Sequence, residues 1–433
     1  MPTPHPLREL LHNEVHARPY ERLGVPLVLS HLALLTPEGP AASREHLVAL
    51  LRSRHLPLPA TDASHLSTDL GGGLRLRWEQ HTEFQTYTFW RTPSQAPEDF
   101  DSTALQAAPQ DWLAGLPGQW LVGLHLLALQ APRGDDGEAA MARVRDTLDE
   151  ESLVGAGVMD GQVEVFTDFR LHADGQARWL LMLPSHAPLV NPRRLGRGVQ
   201  RLLEIETYRM MALLGLPVAR EVGSALRHAE RDLAEVAGQI RSASQAQEPE
   251  LLRRLTSLAG EVEGLYARTH ARFSASAAYF ELIQRRIAEL AEERIHGLQT
   301  LGEFMDRRLA PAMQTCAWAA RRQQALSERI SRTSNLLRTR VEIESQQSSQ
   351  ALLDTMNERQ KVQLLLQSAV EGLSVAAITY YGAGLVGYIA KAAKGAGLPV
   401  SPDLAVAVCI PVIGVAVWLG VRRLHRLAHE ALH

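Results

Sequence analysis

LLLQSAVEGLSVAAITYYGAGLVGYIA, residues Leu364–Ala390, and LAVAVCIPVIGVAVWLGV, residues Leu404–Val421, decide how the rest of the chain is read. The first runs for 27 residues with one charge, Glu371, and the second for 18 with none. A helix needs about 20 predominantly apolar residues to cross roughly 30 Å of hydrocarbon. The pair therefore predicts a transmembrane hairpin within residues 363–421. Arg359 and Lys361 precede the first span, and Arg422, Arg423 and Arg426 follow the second. Basic flanks mark the cytoplasmic side, which predicts a bacterial inner-membrane protein with both termini in the cytoplasm and residues 422–433 as a basic tail. Lys391 and Lys394 in the connecting loop weaken this asymmetry without reversing it, and no signal peptide opens the sequence.

Working outward, 433 residues exceed one typical core and predict two or three structural units. With 45 basic against 48 acidic residues and no Lys/Arg block, nothing recruits nucleic acid. Cys316 and Cys409 fall in a cytoplasmic helix and in a span, so no disulfide is expected between them. Residues 1–191 alternate short strand-like and helix-like segments and predict an α+β domain. Val25–Leu35 and Trp120–Leu129 read as buried strands, Gly73–Trp90 as one long extended stretch, and Ser43–Arg54 as a helix. Asp160-Gly161 and Asp174-Gly175 join three further strands into a meander.

At Pro192 the composition changes to Leu, Ala, Arg and Glu, and residues 192–362 predict a long helical stalk. Helices are expected from Pro192 to Gly215, Pro217 to Ser242, Glu248 to Leu301, and from Pro311 onward into the membrane. In the last of these Ile330, Val341 and Leu352 recur every eleven residues, the period of nearly straight helix packing.

Few residues offer chemistry. If extended, His12, Glu14 and His16 share one strand face, and Glu79, His81 and Glu83 repeat the alternation. Six such groups brought together would hold a divalent metal through imidazole and carboxylate; the alternative is a hydrogen-bonded network tying the N-terminal arm to the sheet. No cofactor is required, and no Gly-x-Ser-x-Gly elbow, Walker loop or dinucleotide fingerprint occurs. Glu371 lies about two turns inside the first span. It either faces a polar path or snorkels to the interface. Gly382, Gly384 and Gly387 permit close helix approach, with Tyr380, Tyr381 and Tyr388 as interfacial anchors.

His5-Pro6-Leu7-Arg8, the run Asn13–Pro19, the stretch Arg77–Phe89 and the run Val370–Ile378 resemble, over nearly the full length, a family of bacterial membrane-anchored proteins of unestablished function. The order of α+β domain, long helices, two spans and basic tail also resembles the CorA-type divalent-cation transporters. That resemblance implies an oligomer, a pentamer in that family, around the first span. The family's Gly-Met-Asn signature is replaced by Tyr380–Gly384 and Gly387–Ile389, and Lys391 and Lys394 would ring the outer mouth and repel divalent cations. Three functions follow as expectations: an oligomeric ion conduit with a sensing domain, a membrane-anchored scaffold or regulator, and a membrane-tethered enzyme.

Overall fold

The computed structural model describes residues 3–9, 11–12, 19–61, 63–131, 137–185, 190–396 and 401–430. Within them nine strands form one sheet: β1 Leu27–Leu35, β2 His65–Gly71, β3 Leu74–Gln80, β4 Phe84–Arg91, β5 Gln119–Gln130, β6 Val154–Val158, β7 Val163–Thr167, β8 Ala177–Leu183 and β9 Glu293–Arg294. Their order is β2-β3-β4-β1-β5-β8-β7-β6-β9, antiparallel throughout except between β5 and β8. The helices are α1 Ala41–Ser53, α2 Gln110–Ala114, α3 Glu138–Thr147, α4 Pro192–Leu213, α5 Gly215–Ile240, α6 Glu248–Leu290, α7 Leu301–Arg308, α8 Ala310–Gly395 and α9 Pro402–Glu430. The chain divides into two compact units, Met1–Arg241 with Arg253–Thr333, and Ser242–Leu252 with Ser334–His433.

In the first unit, period-two alternation sends the side chains of β1 to two cores. Leu27 and Leu29 pack with Leu195, Val199 and Leu202 of α4 and with Met313 and Cys316 of α8. Val28, Leu32 and Leu34 pack on the other face with Leu47, Leu50 and Leu51 of α1 and Val144 of α3. Helices thus cover both faces, which is why β1 is an almost unbroken apolar run. Because α4 fills the first core, residues on both sides of Pro192 share one hydrophobic interior. Asn191 caps α4 by accepting from Arg193 N–H at 2.9 Å, with Pro192 in its first turn.

The β6–β7–β8 meander is present, with Asp160 and Gly161 both at positive φ in its first turn. Two expectations are corrected. The stretch Gly73–Trp90 is a hairpin: β3 stops at Gln80, and His81 N–H donates to Phe84 O at 2.8 Å across the turn. The helix expected to reach Leu301 stops at Leu290, and the chain returns to the sheet as β9. It restarts at α7, where Thr300 and Glu303 form a capping box and the Glu292 carboxylate accepts from the N–H groups of Leu301 and Gly302, both at 2.9 Å.

The second unit contains the later part of α8 together with α9. Leu337 is buried, Arg340 Nε lies 2.7 Å from the buried Glu248 carboxylate, and the run Ser345–Gln350 is exposed on every side. Leu301–Gly395 and Pro402–Arg423 each include an 18-residue window apolar enough to cross a membrane, with mean hydropathy 1.4 and 2.6.

Candidate functional site

A cavity of about 260 Å³ lies between the sheet and α4 in the first unit. Strand register builds its floor. Pairing of β3, β4 and β1 produces three cross-strand rows, Arg75–Trp90–Leu29, Arg77–Thr88–His31 and Glu79–Thr86–Ala33, and within a row the side chains share a face. The facing wall is one stripe of α4, on which Gly196, Val199, Leu203 and Thr207 recur at three- and four-residue steps.

The segment Tyr20–Leu23 closes one side. It can do so because residue 196 is glycine: a Cβ there would stand 1.8 Å from Glu21 O. Leu23 N–H donates to Pro192 O at 3.1 Å and Arg77 Nη1 donates to Pro19 O at 2.9 Å, fixing the segment to α4 and to the floor. From α6, Arg286 reaches in and pairs with Glu204 of α4.

His31 is a strut between floor and wall. Its Nδ1 is 2.8 Å from Thr88 Oγ1 and its Nε2 is 3.1 Å from Thr207 Oγ1. Thr207 spends its own hydroxyl proton on Leu203 O at 2.8 Å. It therefore accepts from His31 Nε2–H, which leaves Nδ1 to accept from the Thr88 hydroxyl. Burial drives the His31 pKa down to about 4, against a smaller upward pull from Glu79, so the ring is neutral at physiological pH.

Two side-chain oxygens on residues that line this space are themselves buried and have no hydrogen-bond partner among the described residues. Thr86 Oγ1 belongs to a side chain only 4 % exposed, and Gln200 Oε1 is likewise buried. Gln200 Nε2 donates to Glu204 Oε1 at 2.9 Å, which orients the amide so that its oxygen is the atom left over. Arg77 places one N–H on Pro19 O and one on Glu79 Oε1 at 2.9 Å, two of the five a guanidinium offers. Buried polar atoms without partners are costly.

The residues singled out from sequence are distributed differently. Glu79 and His81 line the cavity. Glu83 instead sits at the β3–β4 turn and is gripped by α6: Arg272 donates to both its oxygens at 2.9 Å, and the Tyr279 hydroxyl donates at 2.7 Å. Burial pushes the Glu83 pKa up, but Arg272 and Tyr279 together outweigh it and hold the carboxyl below its ordinary value. The backbone at His12 is helical rather than extended, while Glu14 and His16 lie outside the described residues. Among the described residues no three His, Cys, Asp or Glu side chains are grouped to hold a metal. The Arg77 bond to Pro19 is a tie between the arm and the sheet.

Sequence reading passed over His31, Thr86, Thr88, Gln200 and Arg286. The available signal was polarity out of place: Ser30-His31 interrupts the apolar run of β1, and Thr86 and Thr88 occupy the β4 face that also carries Phe84 and Trp90. Ser30 itself points to the other core. Its Oγ lies 2.8 Å from His125 Nδ1, and His125 Nε2 lies 3.6 Å from Asp174. This serine is fully buried and accepts from Leu105 N–H at 3.0 Å, so no substrate carbonyl reaches it and the trio is structural.

In the second unit, Gly382 and Gly387 face α9: a Cβ on either would come within 3.3 Å of Ile413 and 3.1 Å of Val406 respectively. Gly414 of α9 is similarly near Thr379. Glu371 is half-buried and shares that face through Val375 and Thr379 at four-residue steps. Gly384 and Tyr388 lie on the open side, as do Tyr380 and Tyr381, and both Lys391 and Lys394 are exposed.

No curated protein and no solved structure matches the chain. A family profile described as protein of unknown function (DUF3422) matches residues 3–428. That match takes in the sheet, the cavity and both apolar helices, and the chain belongs to the DUF3422 family.

Proposed function

We propose that this protein is an integral membrane protein of the bacterial inner membrane, a homo-oligomeric ion conduit whose α+β domain is a cytoplasmic sensor. The observation that carries the reading is the outward side of α8 and α9. Leu366, Leu373, Leu385, Val412 and Trp418 are each more than half exposed, and apolar surface this extensive requires lipid or another apolar partner. The small residues at the α8–α9 contact favour a tight transmembrane hairpin. Basic residues outside both spans favour a cytoplasmic location for its two outer ends. The unbroken helix Ala310–Gly395, which begins among sheet-packed residues and ends in the first span, supports transmission from sensor to membrane. In an oligomer Lys391 and Lys394 would favour anions over divalent cations.

A second reading is a non-conducting anchored regulator, favoured by Glu371 lying on the face turned toward α9 and by the mainly apolar character of the open face. Flux of chloride and of magnesium into proteoliposomes separates the two. The conduit predicts chloride-dependent flux that falls when Lys391 and Lys394 are both changed to Glu. Absence of flux at either membrane polarity overturns it in favour of the anchor.

A further inference from the structure

We propose that a cleft bounded by the β6–β7 turn, the start of α4 and the end of α6 binds the phosphoryl group of a small phosphomonoester. The cleft holds about 180 Å³ and lies wholly within the first unit. Three of the residues lining it, Arg194, Arg197 and Arg201, follow one another at three- and four-residue steps along α4, so their side chains share one face of the helix. Like charges so placed repel one another, and an anion between them removes that repulsion.

The two outer arginines are tied down on one side only. Arg194 donates to Asp160 and, at 3.1 Å, to Gln162 Oε1. Arg201 donates through Nε to Glu289 Oε2 at 3.0 Å and through Nη1 to Glu289 O at 3.2 Å. Each guanidinium offers five N–H groups, so donors remain on both, and with side chains 33 % and 26 % exposed neither is sealed from a ligand. Arg197 stands between them. It is exposed and makes no hydrogen bond or ion pair among the described residues.

The nearby carboxylates do not cancel this charge. Glu289 is shared between Arg201 and Arg286, and Arg286 also pairs with Glu204. Asp160 is 77 % exposed, so water screens its hold on Arg194. Glu293 stands beside Gly161 rather than in the cleft lining. The last carbonyls of α6, which would repel an anion, are occupied: Glu289 O accepts from Arg201, and Leu290 O faces Met159 N–H at 3.5 Å. A phosphomonoester carries about two negative charges at neutral pH and three terminal oxygens, one for each guanidinium, where a carboxylate offers one charge and two oxygens. The cleft is well below the roughly 300–1,000 Å³ of drug-sized sites, room for the phosphoryl group and the carbons next to it. Met159, Leu290 and Ala291 give those carbons an apolar wall, and no aromatic ring among the described residues lines the cleft to stack a nucleobase.

The site goes beyond the conduit reading and does not require conduction, so binding is measured on the full chain in detergent by titration calorimetry in phosphate-free buffer. The probes are glycerol 3-phosphate, glycerol and acetate. Glycerol 3-phosphate is expected to bind at millimolar or lower concentration, and glycerol and acetate at least about tenfold more weakly, the equivalent of one charged hydrogen bond. Arg197→Gln is expected to weaken glycerol 3-phosphate binding about tenfold with an unchanged urea midpoint, since the side chain has no partner to lose. Asp160→Asn removes the competing carboxylate at a positive-φ position that asparagine also adopts, and is expected to tighten binding severalfold. A purely structural arginine cluster gives neither change. Short-chain phosphatidic acid identifies the source of the group: binding tighter than that of glycerol 3-phosphate supports the site with a lipid headgroup as its ligand, and equal or weaker binding supports it with a free phosphomonoester. Failure of both phosphate compounds to bind at tens of millimolar, or equal binding by wild type and Arg197→Gln, overturns the proposal. Binding without ion flux removes the conduit and leaves this site standing; flux without binding does the reverse.

Discussion

Lowering the pH from about 7.5 to about 5 is predicted to remove about 2 kcal/mol of stability through His31 alone. The native ring has a pKa near 4 because burial disfavours its charged form, whereas in the unfolded chain it titrates near 6.5. Above pH 6.5 both states are neutral and nothing is lost. Between 6.5 and 4 the unfolded state takes up a proton that the native state refuses, and stability falls as pH falls. At pH 5 the ratio of the two binding polynomials is about thirty, or about 2 kcal/mol. His125, lowered to about 4 chiefly by burial with Asp174 pulling the other way, adds a similar amount from the opposite face. Glu83 and Glu230, whose pKa values lie below the ordinary carboxylate value, stay ionised in this window and do not contribute. Urea unfolding of the detergent-solubilised protein, followed through the buried Trp78, Trp90 and Trp179, reads the change. His31→Gln should lose about 1–2 kcal/mol at neutral pH, because one amide does not bridge Thr88 and Thr207 as the ring does, and should show about half the wild-type acid sensitivity. If that variant loses as much stability between the two pH values as the wild type does, the account of His31 is wrong.

Two other perturbations bear on the walls of the same unit. Glu83→Gln is expected to cost about 1–2 kcal/mol, since one carboxylate serves both Arg272 and Tyr279 and the group is only partly screened by solvent; an unchanged urea midpoint would show that the turn does not depend on α6. Gly196→Ala is expected to cost about 1–3 kcal/mol by overpacking against Glu21 O. It should also speed amide exchange at Leu23, whose N–H is tied to Pro192 O, and unaltered stability would mean that the N-terminal segment yields freely.

The parts legible in the sequence were those with a periodic signal. The apolar run Leu404–Val421, the meander turns at Asp160-Gly161 and Asp174-Gly175, and the cap at Asn191-Pro192 each state their structure locally. What failed locally was decided by distant partners. Nothing around Ala291 announces that the chain leaves a helix for two residues of strand; the partner is β6, more than 130 positions earlier, and the restart is paid for by Glu292 and Thr300. The hairpin at His81–Glu83 lacks the usual Asn-Gly or Asp-Gly pair and is held by Arg272 and Tyr279, nearly 200 positions away. The cavity had no motif because its groups come singly from β1, β3, β4, α4 and α6. Alternation placed Glu79 and His81 in view, but only register could set Arg77, Thr88 and His31 in one row.

The two-residue strand β9 also limits how copies of this chain can meet. A sheet margin with open N–H and C=O groups is a template for another strand, and without β9 the margin on this side would be β6. Gly155 N–H is taken by Gln299 O, Ala156 and Gly157 pair with Arg294 and Glu293, and Met159 N–H points at Leu290 O. The β6 border is therefore closed from within the same molecule before any neighbour arrives. Sheet-to-sheet growth along β6 is blocked there, and only the two residues of β9 are left as an edge on this side.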